Sequence, residues 1–363
     1  YNCIGFFRSL SGRMREETMP QQYCAIILAA GEGKRMKSNR PKVLSEVLFK
    51  PMLRWVLDAV RASYVEDVCC VAGFQHELLE EYLAAVNAEA AGLAPVQSVL
   101  QQERRGTGHA VMMARDFLRA HQGGQVLVLN GDAPFITPQV IDAALRVHLN
   151  NGNAATVISA AVENPFGYGR IVRDADTGLL RGIVEQKDAD WQTQQIHEIN
   201  SGSYWFCVDD LLEVLNRITS NNAQGEYYLT DAIRLLIEAG RRASAYTAKD
   251  PSTVLGANDC TQLNQLNAIA RKKVLDRHMQ AGVSIPCTDG VIIGPDVKIG
   301  HYSCILPGTI LRGCTVIGEN CTIGPNALLE NTAVGDDVTL NTVQVYNREI
   351  AKGETVPPFT VLQ

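Results

Sequence analysis

Aliphatic residues recur at intervals of six near the end of the sequence, and this period constrains the fold more than any other feature. The anchors are Ile293, Ile299, Ile305, Leu311, Ile317, Ile323 and Leu329, and a mostly small residue stands two positions before each. One aliphatic anchor per hexad is typical of a solenoid in which each hexad forms one side of a triangular coil. After a slip near Val334 the period resumes at Ile350, Val356 and Leu362. We therefore predict a short left-handed parallel β-helix of about four coils over residues 286–363.

The preceding part of the chain has a different pattern. Between residues 21 and 250, short apolar runs alternate with helical periodicity, which predicts a Rossmann-like α/β domain with a parallel sheet. The run 126–129 is wholly apolar, as expected for a central strand buried on both faces, and ends in Asn130-Gly131-Asp132. Ligands bind at such carboxyl ends of strands. The spacing of apolar residues from Thr261 to Met279 predicts a helical arm within a linker at 251–285.

Bulk composition narrows the class of protein. A net charge of -6 and a pI near 5.7 argue against a nucleic-acid-binding surface. The sequence contains no run of about 18 apolar residues, and it therefore predicts no membrane-spanning helix. The ten cysteines form no Cys-x-x-Cys pair, which indicates reduced thiols in a cytoplasmic protein and no zinc site. We expect residues 1–20 to be a disordered or artefactual extension.

A glycine-rich loop at 28–36 follows the apolar run 25–27. Gly31 and Gly33 allow backbone N–H groups to approach phosphate oxygens, and Arg35 and Lys42 supply positive charge. The loop lacks the Gly-Lys-Ser/Thr ending of a Walker loop and the third glycine of the dinucleotide fingerprint. It predicts a phosphate site of another kind. Asp132, a carboxylate at a strand end, suits Mg²⁺ beside bound phosphates, although such acids also cap helices.

Several long motifs now carry a resemblance to a known family. They lie at 28–36 with 41–42, at Gln101 with 106–110, at 130–134 and at 221–231. In this order they resemble the bacterial bifunctional N-acetylglucosamine-1-phosphate uridylyltransferase/glucosamine-1-phosphate acetyltransferase, the GlmU family. The similarity covers residues 23–363, and it matches the uridylyltransferase half and the opening coils of the second half.

The resemblance implies a reaction. UMP passes from UTP to N-acetylglucosamine 1-phosphate with Mg²⁺, giving pyrophosphate and UDP-N-acetylglucosamine for cell-wall synthesis, and the β-helix forms a homotrimer. The phosphate monoester is already anionic, so no protein nucleophile is needed and the protein must mainly hold and neutralise two anions.

The resemblance also assigns roles to residues. It implies metal ligation by Asp132 and Asn258, and catalytic cations at Arg35 and Lys42. Nucleotide contacts fall on Leu28, Ala29, Ala30, Gly31, Gln101, Gly106, Thr107, Asn130 and Gly131, with Gln101, Gly106 and Thr107 at the uracil. Sugar contacts fall on Gly169, Glu185 and Asn200. We expect His109 to be a structural residue of the turn that faces the nucleotide, since this chemistry needs no imidazole base.

Alternatives remain open at this point. The printed sequence stops at 358–363, where the family's acetyltransferase segment would begin, so we expect no acetyl-CoA site in it, either because it is a fragment or because it is a single-activity relative. One alternative function is that of another sugar-1-phosphate nucleotidyltransferase, which uses glucose 1-phosphate or a different base and shares the glycine loop. A non-catalytic trimeric scaffold that binds a sugar nucleotide is the more distant reading.

Overall fold

The computed structural model describes residues 22–63, 65–90 and 92–363, and these residues form two compact units. The first contains residues 22–30, 59–130 and 137–251, and the second contains 31–58, 131–136 and 252–363. Each unit has its own hydrophobic core. The predicted extension at 1–20 lies outside the described residues.

The elements before the solenoid are as follows. The strands are β1 (Tyr23–Leu28), β2 (Glu46–Val47), β3 (Lys50–Pro51), β4 (Asp67–Ala72), β5 (Gln97–Leu100), β6 (Gln125–Asn130), β7 (Ala155–Ala161), β8 (Arg170–Arg173), β9 (Leu180–Val184), β10 (Glu198–Cys207) and β11 (Ala243–Thr247). The helices are α1 (Met52–Arg61), α2 (His76–Glu89), α3 (Thr107–Met113), α4 (Arg115–Ala120), α5 (Pro138–Asn150), α6 (Trp191–Gln194), α7 (Val208–Leu215), α8 (Thr230–Glu238) and α9 (Cys260–Gln280). In the described ranges, no helix has both the length and the apolar character needed to cross a membrane.

The sheet of the first unit is mixed. Its order is β11-β7-β10-β6-β1-β4-β5, with β8 and β9 attached beside β10. β1 runs parallel to β4 and β6, but β10 runs antiparallel to both β6 and β7. The predicted parallel sheet is therefore confirmed for β1, β4, β5 and β6, and it is wrong for β10, which is antiparallel to both of its neighbours. β8 forms antiparallel pairs with both β9 and β10, so the chain between β7 and β10 is used for this pair of strands and not for the helical crossover that is usual between parallel strands.

Parallel pairing brings several strand ends to one edge of this sheet. Leu28, the last residue of β1, pairs with Val71 on one side and with Asn130 on the other. Gln101, directly after β5, donates its backbone N–H to the Ala72 carbonyl at 2.8 Å. β6 is buried through residues 126–129, as predicted from its continuous apolar run. The edge of the first unit thus collects residues from the ends of β1, β4, β5 and β6.

The solenoid lies in the second unit. Its strands are β12 (Ile292–Ile293), β13 (Lys298–Ile299), β14 (Cys304–Ile305), β15 (Ile310–Arg312), β16 (Val316–Ile317), β17 (Thr322–Ile323), β18 (Leu328–Glu330), β19 (Ala333–Val334), β20 (Thr339–Leu340), β21 (Gln344–Tyr346), β22 (Glu349–Ile350) and β23 (Val361–Leu362). Ile292 pairs in parallel with Ile310, and Ile310 with Leu328, each 18 residues further on. Three hexads therefore make one coil, and the predicted β-helix is confirmed.

The slip near Val334 does not interrupt the coil. Val316 pairs with Ala333, 17 residues on, and Leu328 pairs with Gln344, 16 residues on. The anchors of this stretch, Val334, Leu340, Val345 and Ile350, are all buried. The number of residues between paired strands falls because some corners become one residue shorter. The six-residue period is therefore lost from the sequence, while the anchors still point into the core of the coil.

Left-handed residues form these corners. Gly308 and Asn326 occupy the same corner of successive coils at φ 73° and 54°, and the next coil has Thr342 there at φ 52°. Asparagine tolerates this conformation better than most residues with a side chain. A Cβ on Gly308 would lie 2.3 Å from the Asn326 Oδ1 atom, so the glycine makes room for the asparagine of the next coil.

Helix α9 confirms the helix predicted over residues 261–279. The Asp259 carboxylate caps it by accepting the Gln262 N–H at 2.8 Å. Leu266, Ala270 and Val274 are buried in the same core as the first anchors of the solenoid, including Ile293. The helix therefore stabilises the open start of the β-helix and fixes the loop that precedes it.

Candidate functional site

The second unit brings together three of the predicted site residues, Lys42, Asp132 and Asn258, which we call the Lys42 cluster. The Lys42 ammonium forms a salt bridge with Asp132 Oδ2 and donates a hydrogen bond to Asn258 Oδ1 at 3.0 Å. The side chains of Lys42 and Asp132 are only 12% and 19% exposed. These charges are thus screened less than a surface pair. One ammonium joins two oxygens that come from distant parts of the chain.

Local structure holds each member of the cluster. Lys42 opens a short 3-10 helix (Lys42–Leu44) after Pro41. Gly33, at φ 62°, packs so closely that a Cβ there would lie 2.9 Å from Lys42 Cβ. Asn258 precedes the cap residue of α9, and its backbone N–H donates to Gln262 Oε1 at 2.7 Å. The glycine loop and the start of α9 therefore set the positions of two of the three side chains.

The donor chemistry of the Lys42 cluster fits a hard divalent cation. One carboxylate and one amide oxygen converge on a single positive charge, the Lys42 ammonium. Mg²⁺ prefers oxygen ligands and commonly takes one or two carboxylates together with water and substrate phosphates. Across the described ranges there is no group of three or more His, Cys, Asp or Glu side chains that could hold a metal ion. The cluster would supply Asp132 and Asn258, and the remaining ligands would have to come from elsewhere.

Other predicted residues of the second unit are placed as follows. Arg35 is exposed within a 3-10 helix (Lys34–Met36) and forms no ion pair with any residue that the structure describes. Gly31 is exposed, and a Cβ there would meet nothing within 4 Å. Gly131 is buried directly before Asp132. The structure therefore does not join Arg35 to the Lys42 cluster.

In the first unit, the residues after β1 are held against its neighbour. The Ala29 N–H donates to the Val71 carbonyl at 2.9 Å. Ala29 and Ala30 are buried. A Cβ on Gly73 would lie 2.6 Å from the Ala30 carbonyl oxygen, so glycine is required for this close approach. The predicted loop thus leaves the sheet from a tightly packed position.

A turn at 101–109 holds the predicted uracil contacts. Gln101 is 4% exposed, and its Nε2 donates to the Gly106 carbonyl and contacts His109 Nδ1, both at 3.1 Å. Gly106 caps α3 at φ 105°, where a Cβ would lie 2.6 Å from the Tyr227 carbonyl oxygen. Thr107 Oγ1 accepts the Leu229 N–H at 3.0 Å. The segment at 227–229 therefore fixes this turn.

The three predicted sugar contacts lie together in the first unit. The Asn200 N–H donates to the Gly169 carbonyl at 2.8 Å. A Cβ on Gly169 would lie 3.3 Å from both Glu185 carboxylate oxygens. Burial raises the pKa of the Glu185 carboxyl, and the Thr230 hydroxyl, which donates to Glu185 Oε1 at 3.4 Å, opposes that shift. The group combines a partly buried carboxylate, an amide and a backbone position without a side chain.

Several supporting residues were not predicted. The Asn200 amide donates to the Tyr204 hydroxyl at 2.7 Å, and the Asn130 amide donates to the Ser201 carbonyl at 3.2 Å. Gln186 Oε1 accepts from the Gly167 N–H and from the Arg170 guanidinium. These partners are polar residues at ordinary spacing in the sequence, and no local pattern identifies them. Thr230 stood within the motif at 221–231 without an assigned role.

Comparison with known proteins decides the family. The nucleotidyl transferase family model matches residues 24–259, and the model for six bacterial transferase hexapeptide repeats matches residues 296–331. The bifunctional protein GlmU of Acetivibrio thermocellus is 41% identical over 339 residues, which are 93% of this chain and 71% of the relative. The chain belongs to the GlmU family.

Other GlmU proteins agree with this assignment. Those of Clostridium acetobutylicum and of a Geobacillus species are 40% and 42% identical, over 94% and 92% of this chain and over 72% and 71% of their own length. The resemblance stated from the motifs is thus confirmed. The predicted enzyme class, a uridylyltransferase of UDP-N-acetylglucosamine synthesis, is confirmed with it.

Proposed function

We propose that the Lys42 cluster is the metal and triphosphate site for transfer of UMP from UTP to N-acetylglucosamine 1-phosphate, with Mg²⁺ as the metal. The observation that carries this proposal is the pairing of the Lys42 ammonium with oxygens of both Asp132 and Asn258. A partly buried site that already balances one cation between these oxygens offers two of the oxygen ligands that Mg²⁺ prefers, and water and substrate phosphates would complete its shell. Bound Mg²⁺ would neutralise phosphate charge and orient the nucleotide.

In this proposal the chain's own residues hold two anions for an in-line reaction. Leu28, Ala29, Ala30 and Gly31, with Asn130 and Gly131, contact the nucleotide. Arg35 and Lys42 offset charge on the transferring phosphate. A sugar-phosphate oxygen attacks the α-phosphorus of UTP, the bond to the β-phosphate oxygen breaks, and pyrophosphate leaves. The attacking oxygen carries no proton to be removed at neutral pH, so the site needs no general base.

Recognition of the two substrates is assigned to the first unit. Gln101, Gly106 and Thr107 contact the uracil, and Gly169, Glu185 and Asn200 contact the sugar. A partly buried carboxylate such as Glu185 accepts hydrogen bonds from sugar hydroxyls. The Asn200 amide has both donors and an acceptor for an acetamide. The polar groups of the sugar would satisfy those of the site, which favours a hydroxyl-rich ligand.

Further parts of the proposal concern organisation and location. We retain the boundaries 21–250, 251–285 and 286–363 for the catalytic domain, the linker and the β-helix, and we propose that the β-helix forms a homotrimer. Its mass by light scattering tests the trimer. The cysteines of the described ranges are free thiols, which is compatible with a cytoplasmic location.

Pyrophosphate release tests the reaction. The purified chain is assayed with UTP, ATP or dTTP, each with N-acetylglucosamine 1-phosphate or glucose 1-phosphate, with Mg²⁺ and with excess EDTA. We expect the highest kcat/KM for UTP with N-acetylglucosamine 1-phosphate and no turnover in EDTA. A preference for glucose 1-phosphate or another base would replace this proposal with the second nucleotidyltransferase reading, and binding without turnover would favour the scaffold.

A further inference from the structure

The side-chain amide of Gln101 has a fixed orientation. Its Nε2 atom lies 3.1 Å from the Gly106 carbonyl oxygen and 3.1 Å from His109 Nδ1. A backbone carbonyl only accepts hydrogen bonds, so the amide nitrogen and not the amide oxygen must face Gly106. Both Nε2 hydrogens then have acceptors, and Oε1 accepts no hydrogen bond from any residue in the described part of the chain.

This geometry also fixes the state of His109. Because Nε2 of Gln101 is a donor, Nδ1 of His109 must accept, which puts the proton of the neutral ring on His109 Nε2. The backbone on both sides is held in place, since the Gly108 N–H donates to the Tyr227 carbonyl at 2.7 Å. The His109 ring also lies beside the Tyr227 ring, with centroids 6.1 Å apart. The ring position is therefore determined independently of Gln101.

We propose that His109 is a positioning residue that, together with the Gly106 carbonyl, sets the base specificity of the enzyme. By holding Nε2 of Gln101, it leaves Oε1 as the open group of that side chain, and an open acceptor pairs with a base edge that carries an N–H. The imide N3–H of uracil provides this donor, whereas N3 of cytosine is an acceptor and would face Oε1 with two lone pairs opposed. The inference rests on the proposed assignment of Gln101 to the nucleobase.

Cytosine could be accommodated only if the Gln101 amide turned over. The turned amide would bring Oε1 against the Gly106 carbonyl oxygen, and it would lose its hydrogen bond to His109 unless the ring proton moved from Nε2 to Nδ1. Replacement of His109 by a residue without a ring nitrogen removes the hydrogen bond or proton shift at His109 as an obstacle and leaves the unfavourable contact between Oε1 and the Gly106 carbonyl oxygen. Loss of one hydrogen bond corresponds to about a fivefold change in an equilibrium or rate ratio.

The test compares His109→Leu with His109→Asn. Leucine removes the acceptor and keeps an apolar side chain of similar reach, whereas asparagine can place its Oδ1 where Nδ1 of histidine lies. We expect the ratio of kcat/KM for UTP to that for CTP to fall about fivefold in His109→Leu and to stay within about twofold of wild type in His109→Asn. The UTP to dTTP ratio is the internal control, because thymine has the same imide edge, and it should not change.

The outcomes separate this inference from the proposed function. Lack of UTP turnover by the wild-type chain would reject the function itself. Wild-type turnover with an unchanged UTP to CTP ratio in His109→Leu, or an equal fall of the UTP to dTTP ratio, would overturn the role of His109. Should His109→Leu not fold, as judged by circular dichroism, His109→Gln replaces it, because its amide reaches the Nε2 position rather than the Nδ1 position, and the same ratios decide.

Discussion

Lys42→Met should strengthen metal binding while it weakens catalysis. In the free protein the Lys42 ammonium occupies the oxygens of Asp132 and Asn258, so a divalent cation must displace it. Methionine has a similar length and carries no charge. The substitution removes the competitor and leaves the proposed metal ligands in place, which is why its two effects have opposite signs.

The size of the effect on metal binding follows from the interactions that the Lys42 ammonium makes. Hydrogen bonds between charged groups contribute about 1.5–3 kcal/mol when they are partly shielded from water. The Asp132 side chain is 19% exposed, which places this pair toward the lower end because solvent reaches it. Release of about 1.5 kcal/mol of competing interaction corresponds to roughly tenfold tighter metal binding. Turnover should fall by about 10²-fold, the usual cost of removing one group that stabilises a transition-state charge.

Metal affinity is measured without nucleotide, by the electron paramagnetic resonance signal of free Mn²⁺ and by calorimetry with Mg²⁺. Lys50→Met is the matched control. Lys50 also joins two carboxylates, at 2.6 Å from Asp58 and 2.9 Å from Asp296, and neither has a proposed role in metal binding. We expect its metal affinity to equal that of the wild type.

The reasoning is refuted by equal or weaker metal binding in Lys42→Met when Lys50→Met behaves as the wild type. That result would mean that Asp132 and Asn258 hold Lys42 for structural reasons and do not form a cation site. A tenfold gain in both variants would show a general effect of lost positive charge. Only a gain confined to Lys42→Met supports competition at the Lys42 cluster.

Three further predictions concern other groups. Asp132→Ala should nearly abolish turnover in Mg²⁺ with an unchanged circular dichroism spectrum, and wild-type rates would contradict the metal assignment. Gly106→Ala should lower the free energy of unfolding in urea by about 1–3 kcal/mol, because of the left-handed backbone and the close approach to the Tyr227 carbonyl. Gly123→Ala is the control: at φ 79°, with nothing within 4 Å of a Cβ, it should lower that free energy by about 1 kcal/mol. Equal losses in the two variants would reject the steric contribution at Gly106. Burial lowers the pKa of His148 to about 4, below the value near 6.5 in the unfolded chain. The neutral ring therefore contributes its full stability above pH 6.5, and the free energy of unfolding falls by up to about 1.4 kcal/mol per pH unit as the pH falls toward 4. The free energy of unfolding in urea, measured from pH 7 to 4.5, should depend less on pH in His148→Gln than in the wild type.

The solenoid was predictable because its packing rule is periodic. Each hexad buries one anchor, and Ser303, Thr309 and Thr315 are buried two positions before their anchors, so the pattern can be read along the chain. The period fails where corners shorten, and Leu340 and Val345 were missed as anchors for that reason. Corner length is a local backbone property that hydrophobic spacing does not encode.

The mixed sheet and part of the site were not predictable in the same way. A buried strand such as β10 gives no sign in its sequence of whether its neighbours run parallel or antiparallel, because burial sets its composition and strand direction does not. Asp132 was found because it follows a recognisable strand. The hydrogen bond between Gln101 and His109 was missed because the turn between them is shaped by Tyr227, which is distant in sequence.

The corners of the β-helix indicate where this scaffold can accept foreign sequence. The number of residues per coil changes at the corners while the buried anchors stay in register. Corner residues therefore set the length of a coil, and anchor residues set the packing of its core. A peptide inserted beside Thr342 would enlarge one corner, and the entropy cost of a longer loop grows only slowly. The same insertion beside Val345 would move an anchor out of the core and would shift every later side of the coil.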